Sequence, residues 1–280
     1  MLKTYLNCWN NSIHDTTSGR SDTDHMVKMS HVSRSAASQI NNDLEVQRLH
    51  DRPKHNMNEK FFDSWSENSA YVLGYLYADG YICRNRCRFE ISSKDIDHLY
   101  KVSSLMGCDI PIRMCSNSYG VWYKLVISRL HPYERLREIG MVPAKSLIME
   151  YPNVPNDVTN HFVRGYFDGD GSIYIYPNRK GCASVDFACG SERFITSLHE
   201  ILISEIGNYY NLKNVRTNYW RIRGNTPGAI RLYHYMYNNA TVYMDRKYNR
   251  FRECDKILGD DIVQTHYNNS VKVPGDRGYN

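Results

Sequence analysis

From residue 61 onward, hydrophobic and polar positions follow one programme twice over. Each pass opens on a helix; the first, at residues 71–78, is apolar on nearly all sides, which predicts burial of most of its surface. Alternating stretches follow, "YICRNRCRFEIS" and then "SIYIYPNRKGCASVDFA", the second with turn residues at 177–181; both read as β-hairpins. A helical period comes next in "DIDHLYKVSSLMG" and "ERFITSLHEILISEIG", stopped at Gly107 and Gly207. A second strand pair ends in "VWYKLVISR" and "NYWRIRG", and a helix with proline in its first turn follows, "HPYERLREIG" and "TPGAIRLYHYMY". Each pass closes on a lysine, in "PAKS" and "DRKY". A programme of this length written twice predicts an α+β protein of two similar αββαββα subdomains, residues 61–150 and 151–258, related by a pseudo-twofold axis. Residues 1–60 differ: they are rich in Ser, Asn, Asp, His and Thr and are expected to be a flexible extension, although "SHVSRSAASQINNDLEVQRL" has the pattern of one short helix or part of a helix-turn-helix. Residues 259–280 read as a tail.

The opening helices carry nearly the same nine residues, "VLGYLYADG" at 72–80 and "VRGYFDGDG" at 163–171, 91 residues apart. In the first, Ser64 through Glu67 has the form of a capping box, which places the helix start at Ser64. Gly74 and Ala78 lie four apart on one face, and Gly165 and Gly169 repeat the arrangement. Small residues stacked on one face let two backbones approach closer than the usual 8–10 Å or so, so the two helices are expected to pack together across the pseudo-twofold. Gly80 and Gly171 are expected to stop them in left-handed caps. Asp79 and Asp170 then fall at helix C-termini, where the dipole disfavours a carboxylate by roughly 0.3–1 kcal/mol. Packed side by side, the two acids also resist joint ionisation. Divalent cations relieve both penalties, since carboxylate and carbonyl oxygens suit hard ions such as Mg²⁺. Two ions flanking one scissile phosphate stabilise attacking and leaving oxygens together.

Composition narrows this only slightly. The chain has 280 residues, 41% apolar and 23% charged, ordinary for a globular protein. A net charge of +5 tilts weakly toward an anionic partner. No apolar run approaches the ~18 residues of a transmembrane helix, and the N-terminal stretch turns polar too early for a signal-peptide core, so a cytoplasmic location is expected. Eight cysteines show no C-x-x-C pair and no zinc spacing with histidine, which implies neither a disulfide framework nor a structural metal.

The paired motifs resemble those of the LAGLIDADG family, most of whose members are homing endonucleases, and the resemblance covers about residues 61–258. It implies that the motif helices form the interface between subdomains and that each subdomain offers a saddle-shaped antiparallel sheet to the DNA major groove. It implies that Asp79 and Asp170 bind the catalytic metal, Mg²⁺ with Mn²⁺ able to substitute. A monomer cutting double-stranded DNA at a long asymmetric target is expected, with no membrane partner. The sixth motif position departs from the family pattern, with Tyr77 in one copy and Asp168 in the other. Asp168 is expected to be a solvated acid, with a helper role as the alternative.

The resemblance also places a basic residue near the end of each subdomain. Lys145 fits the first half and Lys247 the second, following their aspartates by 66 and 77 residues, with Arg246 and Arg250 competing for the second role. A cation there could stabilise charge on the phosphate or perturb the attacking water. Lys94 lies where members place a residue near the scissile phosphates. For DNA contact, Arg84, Arg86 and Arg88 alternate with Cys87, Phe89 and Ile91, so a basic face opposes an apolar one. In the second half, Arg216, Arg221 and Arg223 lie on or beside a strand, and Arg179 and Lys180 occupy a hairpin tip. Each could read guanine, bind phosphate, or merely solvate the sheet. The competing function is a non-cleaving binder on the same scaffold, either a maturase acting on intron RNA or a DNA-binding regulator.

Overall fold

The structure is a computed structural model that describes residues 54–178 and 182–258. The expected polar extension, but for its last residues, and the C-terminal tail lie outside the described residues, as do Arg179 and Lys180.

The twofold programme is realised element by element. Helix α1 (Glu67–Asp79) runs directly into β1 (Gly80–Ile82), followed by β2 (Phe89–Ser93), α2 (Ile96–Leu105), β3 (Arg113–Asn117), β4 (Gly120–Ile127) and α3 (Leu130–Ile139). The second pass is α4 (Thr159–Asp170), β5 (Gly171–Ile175), β6 (Ala183–Cys189), α5 (Glu192–Ile206), β7 (Tyr210–Arg216), β8 (Tyr219–Gly224) and α6 (Thr226–Tyr237). A further helix, α7 (Asp245–Leu258), carries the closing lysine. Each half forms a four-stranded antiparallel sheet of the same order, β1-β2-β4-β3 and β5-β6-β8-β7.

Period two decides which strand residues face inward. Ile82, Phe89, Ile91, Leu125 and Ile127 are buried in the first sheet, and Val185, Phe187 and Ile222 in the second. Opposite them, α2 contributes Leu99 and Val102, and α5 contributes Phe194, Ile195, Leu198 and Leu202, each on one helical face.

Helices α1 and α4 meet through their backbones. A Cβ at Gly74 would run into the carbonyl oxygen of Phe162, one at Gly165 into that of Tyr71, and one at Gly169 into the Ala78 side chain. The predicted small-residue stripe is therefore the contact surface, and α1 is buried from Ser69 to Tyr77.

Two local expectations are corrected. Helix α1 starts at Glu67, not near Ser64: Ser66 is the N-cap, its hydroxyl accepting from the Ser69 N–H while the Ser69 hydroxyl accepts from the Ser66 N–H. Serine replaces the glutamate that the sequence suggested, because Ser69 is the residue three positions past the true cap. Gly80 and Gly171 are extended, with φ of −81° and −78°, not left-handed. Each is the first residue of a strand, so the chain must straighten there at once. Glycine is needed for room, since a Cβ at Gly80 would strike the Leu76 backbone and one at Gly171 the Phe167 ring.

Gly165→Ala should force the helices apart at a backbone contact that no rotamer can relieve. A loss of about 3 kcal/mol or more is expected in chemical denaturation, against a smaller loss for Ala78→Ser at the half-buried end of the same stripe, where side chain and not backbone would be met. Equal, small effects of both would mean the backbones do not touch.

Candidate active site

The packed helices end side by side, and their ends deliver the two acids. Asp79 is the last residue of α1 and Asp170 the last of α4. The Asp79 carboxyl lies 3.5 Å from where a Gly169 Cβ would stand, so it rests against the opposite helix one residue before Asp170. Both side chains open to solvent at the rim while their carboxyls are crowded by protein. That crowding pushes Asp170 up to about 6, with the Asp79 charge as the second cause. Burial likewise raises Asp79, opposed first by Lys247 and then by Lys145.

Among the described residues, Lys145 and Lys247 are buried lysines, at 8% and 5% exposure. Lys145 Nζ donates to the Ala78 carbonyl at 2.8 Å. Lys247 Nζ donates to the carbonyls of Phe167 and Gly169 at 2.6 and 3.0 Å. Each ammonium thus occupies the negative end of its motif helix, one step from the aspartate. Ala144, held left-handed at φ 56°, turns the chain so that Lys145 enters a short 3₁₀ segment (Lys145–Leu147) beneath α1. Burial lowers both lysines, Lys247 to about 8. Lys145 feels the charge of Asp170 more than that of Asp79, whereas Asp79 feels Lys247 before Lys145. Each lysine thus acts on both aspartates and each aspartate on both lysines, so the four charges belong to one site.

Arg246 and Arg250, the competitors for the role of Lys247, are both exposed on α7. Arg250 pairs with Glu253 one turn on. Lys94 is exposed in the bend between β2 and the Asp95 cap of α2. Asp168 contradicts its expected solvated state. It is fully buried and accepts from the Tyr71 hydroxyl at 2.6 Å and from the Met244 N–H at 2.9 Å. The sixth motif position points into the helix interface, where a carboxylate persists only with such donors.

The arginines divide. Arg84 and Arg86 do not lie on a strand face: they are exposed in the connection between β1 and β2, and the strand begins only at Phe89. The hairpin loop is longer than the alternation suggested. Arg88 flanks the strand and pairs with Glu90 at 2.9 Å. Arg221 and Arg223 do lie on β8, and Arg216 ends β7 with its guanidinium 5.3 Å from the Tyr219 ring.

Sequence reasoning missed the acids that organise these cations. Glu90, almost fully buried, is held by Arg88 and by Lys124 at 2.8 Å. Asp186 holds Arg223 through two hydrogen bonds of 2.7 Å and faces Arg221 at 3.8 Å. The registers Gly80↔Ile91 and Gly171↔Phe187 make Glu90 and Asp186 equivalent, so each outer sheet face repeats one acid between two cations. The period-two position of Lys124 in "VWYKLVI" was the available signal for the first cluster.

Residues 157–238 match the family profile of the LAGLIDADG-like domain. That segment is similar to a LAGLIDADG-like domain. It spans α4 to α6, and the elements from α1 to α3 repeat its order and its sheet topology. No curated protein sequence matches the chain. Among solved structures, the homing endonuclease I-WcaI bound to its DNA recognition sequence is similar at TM-score 0.49 and 12% identity, over 68% of this chain and 90% of that one. The meganuclease I-SmaMI bound to uncleaveable DNA is similar at 0.48 and 12%, over 74% and 97%. Full-length DUF199/WhiA from Thermatoga maritima is similar at 0.46 and 13%, over 77% and 72%.

Among the described residues there is no cluster of three or more His, Cys, Asp or Glu side chains. Two adjacent carboxylates nonetheless fit Mg²⁺, which commonly takes one or two carboxylates and completes its shell with water and phosphate oxygens. Burial is the first cause of their raised pKa values, and the two lysines offset it only in part.

With Asp170 near 6 in the fold against an ordinary 3.8, the folded state binds more protons in that window, so its ionisation destabilises as pH rises through it. At pH 7, Asp170→Asn should raise the thermal midpoint, the gain should vanish near pH 4, and Mg²⁺ should stabilise wild type more than the variant. A midpoint at or below wild type at pH 7 would show that the carboxylate carries no strain.

Proposed function

We propose that the protein is a site-specific endonuclease of double-stranded DNA that uses divalent metal, Mg²⁺ with Mn²⁺ able to replace it, and acts on a long asymmetric target. The observation that carries this reading is the pair of carboxylates at adjoining helix ends, with a buried lysine holding the last carbonyls of each helix. Asp79 and Asp170 would hold the ions, which when bound would neutralise charge developing on the scissile phosphate.

The chain's own residues prepare the rest. The backbone contact of α1 and α4 fixes the two acids relative to each other, so little reorganisation is left for the reaction. Lys145 spends one N–H on Ala78 and Lys247 two on Phe167 and Gly169, which leaves donors on each ammonium for a phosphate oxygen or a water. At about 8, Lys247 also lies where a nitrogen can exchange a proton near neutral pH.

The outer sheet faces supply the DNA contacts in this reading. Arg88, Arg113 and Lys124 line one; Lys213, Arg221 and Arg223 line the other, with Arg84, Arg86, Arg216 and Lys94 at the margins. Val126 stands in the first sheet where Arg223 stands in the second, and Ser92 where Ala188 stands, so the two faces address different sequences. A monomer suffices, because both halves are in one chain.

Cleavage of a randomised double-stranded library in Mg²⁺ tests the proposal. Wild type should yield one long asymmetric cut site, and Asp79→Asn and Asp170→Asn should each abolish double-strand cleavage while retaining binding. Specific retention of DNA or RNA without cutting by any of the three would favour the non-cleaving binder. On the recovered site, Glu90→Gln and Asp186→Asn release cations toward phosphate. The salt dependence of log Kd should steepen by about 0.9 for each cation freed. An unchanged slope would mean that the paired cations already contact DNA, or never do.

A further inference from the structure

The two halves differ where the motif helices meet, and the difference falls beside one lysine only. The offset of 91 residues pairs Tyr71 with Phe162 and Tyr77 with Asp168. On one side of the interface, Tyr77 and Phe162 meet as rings with centroids 5.4 Å apart. On the other side the mates are polar: the Tyr71 hydroxyl donates to Asp168 Oδ2 at 2.6 Å, and the Tyr237 hydroxyl to Oδ1 at 3.3 Å.

Asp168 also reaches the helix that bears the lysine. Its Oδ2 accepts the Met244 N–H at 2.9 Å, and the Met244 carbonyl accepts the N–H groups of Lys247 and Tyr248 at 3.1 and 3.0 Å. The acid therefore anchors the residue that starts α7. Lys247 closes the loop, since the carbonyls it binds, Phe167 and Gly169, flank Asp168 on both sides. Among the charges that offset burial of Lys247, Asp168 is the largest. Lys101 holds the same helix start from the surface, donating to the Tyr243 carbonyl at 3.3 Å and to Asp245 at 2.7 Å. At Lys145 the place of Asp168 is taken by Tyr77, whose ring lies in the apolar interface.

We propose that Asp168 is a positioning residue for Lys247, fixing the start of α7 and so the placement of that one ammonium, while Lys145 works without such a support. The functional consequence rests on the nuclease reading: the two strands are cut by inequivalent ends of the cleft, and only one cut depends on Asp168.

The test uses the full chain and the recovered target, labelled on either strand. Asp168→Leu removes the acceptor, whereas Asp168→Asn keeps the shape and an acceptor oxygen. The leucine variant should slow one strand by roughly tenfold or more, the asparagine variant should slow it less, and the other strand should change little; nicked DNA should accumulate. The affected strand should be the one slowed by Lys247→Met and not the one slowed by Lys145→Met. Equal slowing of both strands, or slowing of the Lys145 strand, would overturn the proposal; a leucine variant that fails to fold leaves the same comparison to asparagine. A second arm needs no cleavage. Denaturation midpoints of Asp168→Asn, Lys247→Met and the double variant should be non-additive, the second change costing less than it does alone. Additive midpoints refute the coupling. A wild type that never cuts, with coupling intact, removes the nuclease reading and leaves the positioning in place.

Discussion

Two helices whose backbones touch leave no space for side chains between them, and most of the geometry follows from that shortage. Gly74 against the Phe162 carbonyl and Gly165 against the Tyr71 carbonyl fix the separation and register of α1 and α4. Since each helix ends five residues past its glycine, the register also fixes how far apart Asp79 and Asp170 lie. The sheets inherit the same constraint. β1 and β5 start at the residue after each aspartate, so acid and strand are joined without a loop that could absorb a shift. A glycine contact in the core thereby sets the distance from the cleft to both outer sheet faces.

Charge is arranged against the same frame. Two helix ends bring four converging negative features, the carboxylates and the terminal carbonyls, and two buried lysines answer them. The balance is incomplete, for Asp170 stays raised near 6 while Lys247 is drawn down toward 8. Burial is the first cause of both displacements, and the charges across the site offset it only in part. Glu90 and Asp186 show the contrast: each lies between two cations and completes its pairs within the sheet.

The sequence carried the fold plainly because the same periods occur twice, and each copy corroborates the other. The acids were legible for the same reason, as was the small-residue contact. Lys145 and Lys247 could be placed through resemblance, but their grip on helix carbonyls could not, because backbone acceptors leave no mark in a sequence. Asp168 was misread since its donors, Tyr71, Tyr237 and the Met244 N–H, come from three distant segments. Arg84 and Arg86 were misread because alternation continues through a loop as readily as along a strand.

The Tyr71–Asp168 contact also bears on how the halves could be recombined. Two copies of the second half placed face to face would set each Asp168 against a Phe162 ring, with the donors of its own half but without that of Tyr71. Two copies of the first would set Tyr71 against Tyr77. Only the mixed pairing supplies both the Tyr71 donor for the carboxylate and the Phe162 ring for Tyr77. The covalent link between the halves and the chemistry of their interface thus enforce the same partnership independently, so exchanging one half for a duplicate of the other would lose a buried acid's partner even where every glycine contact was kept.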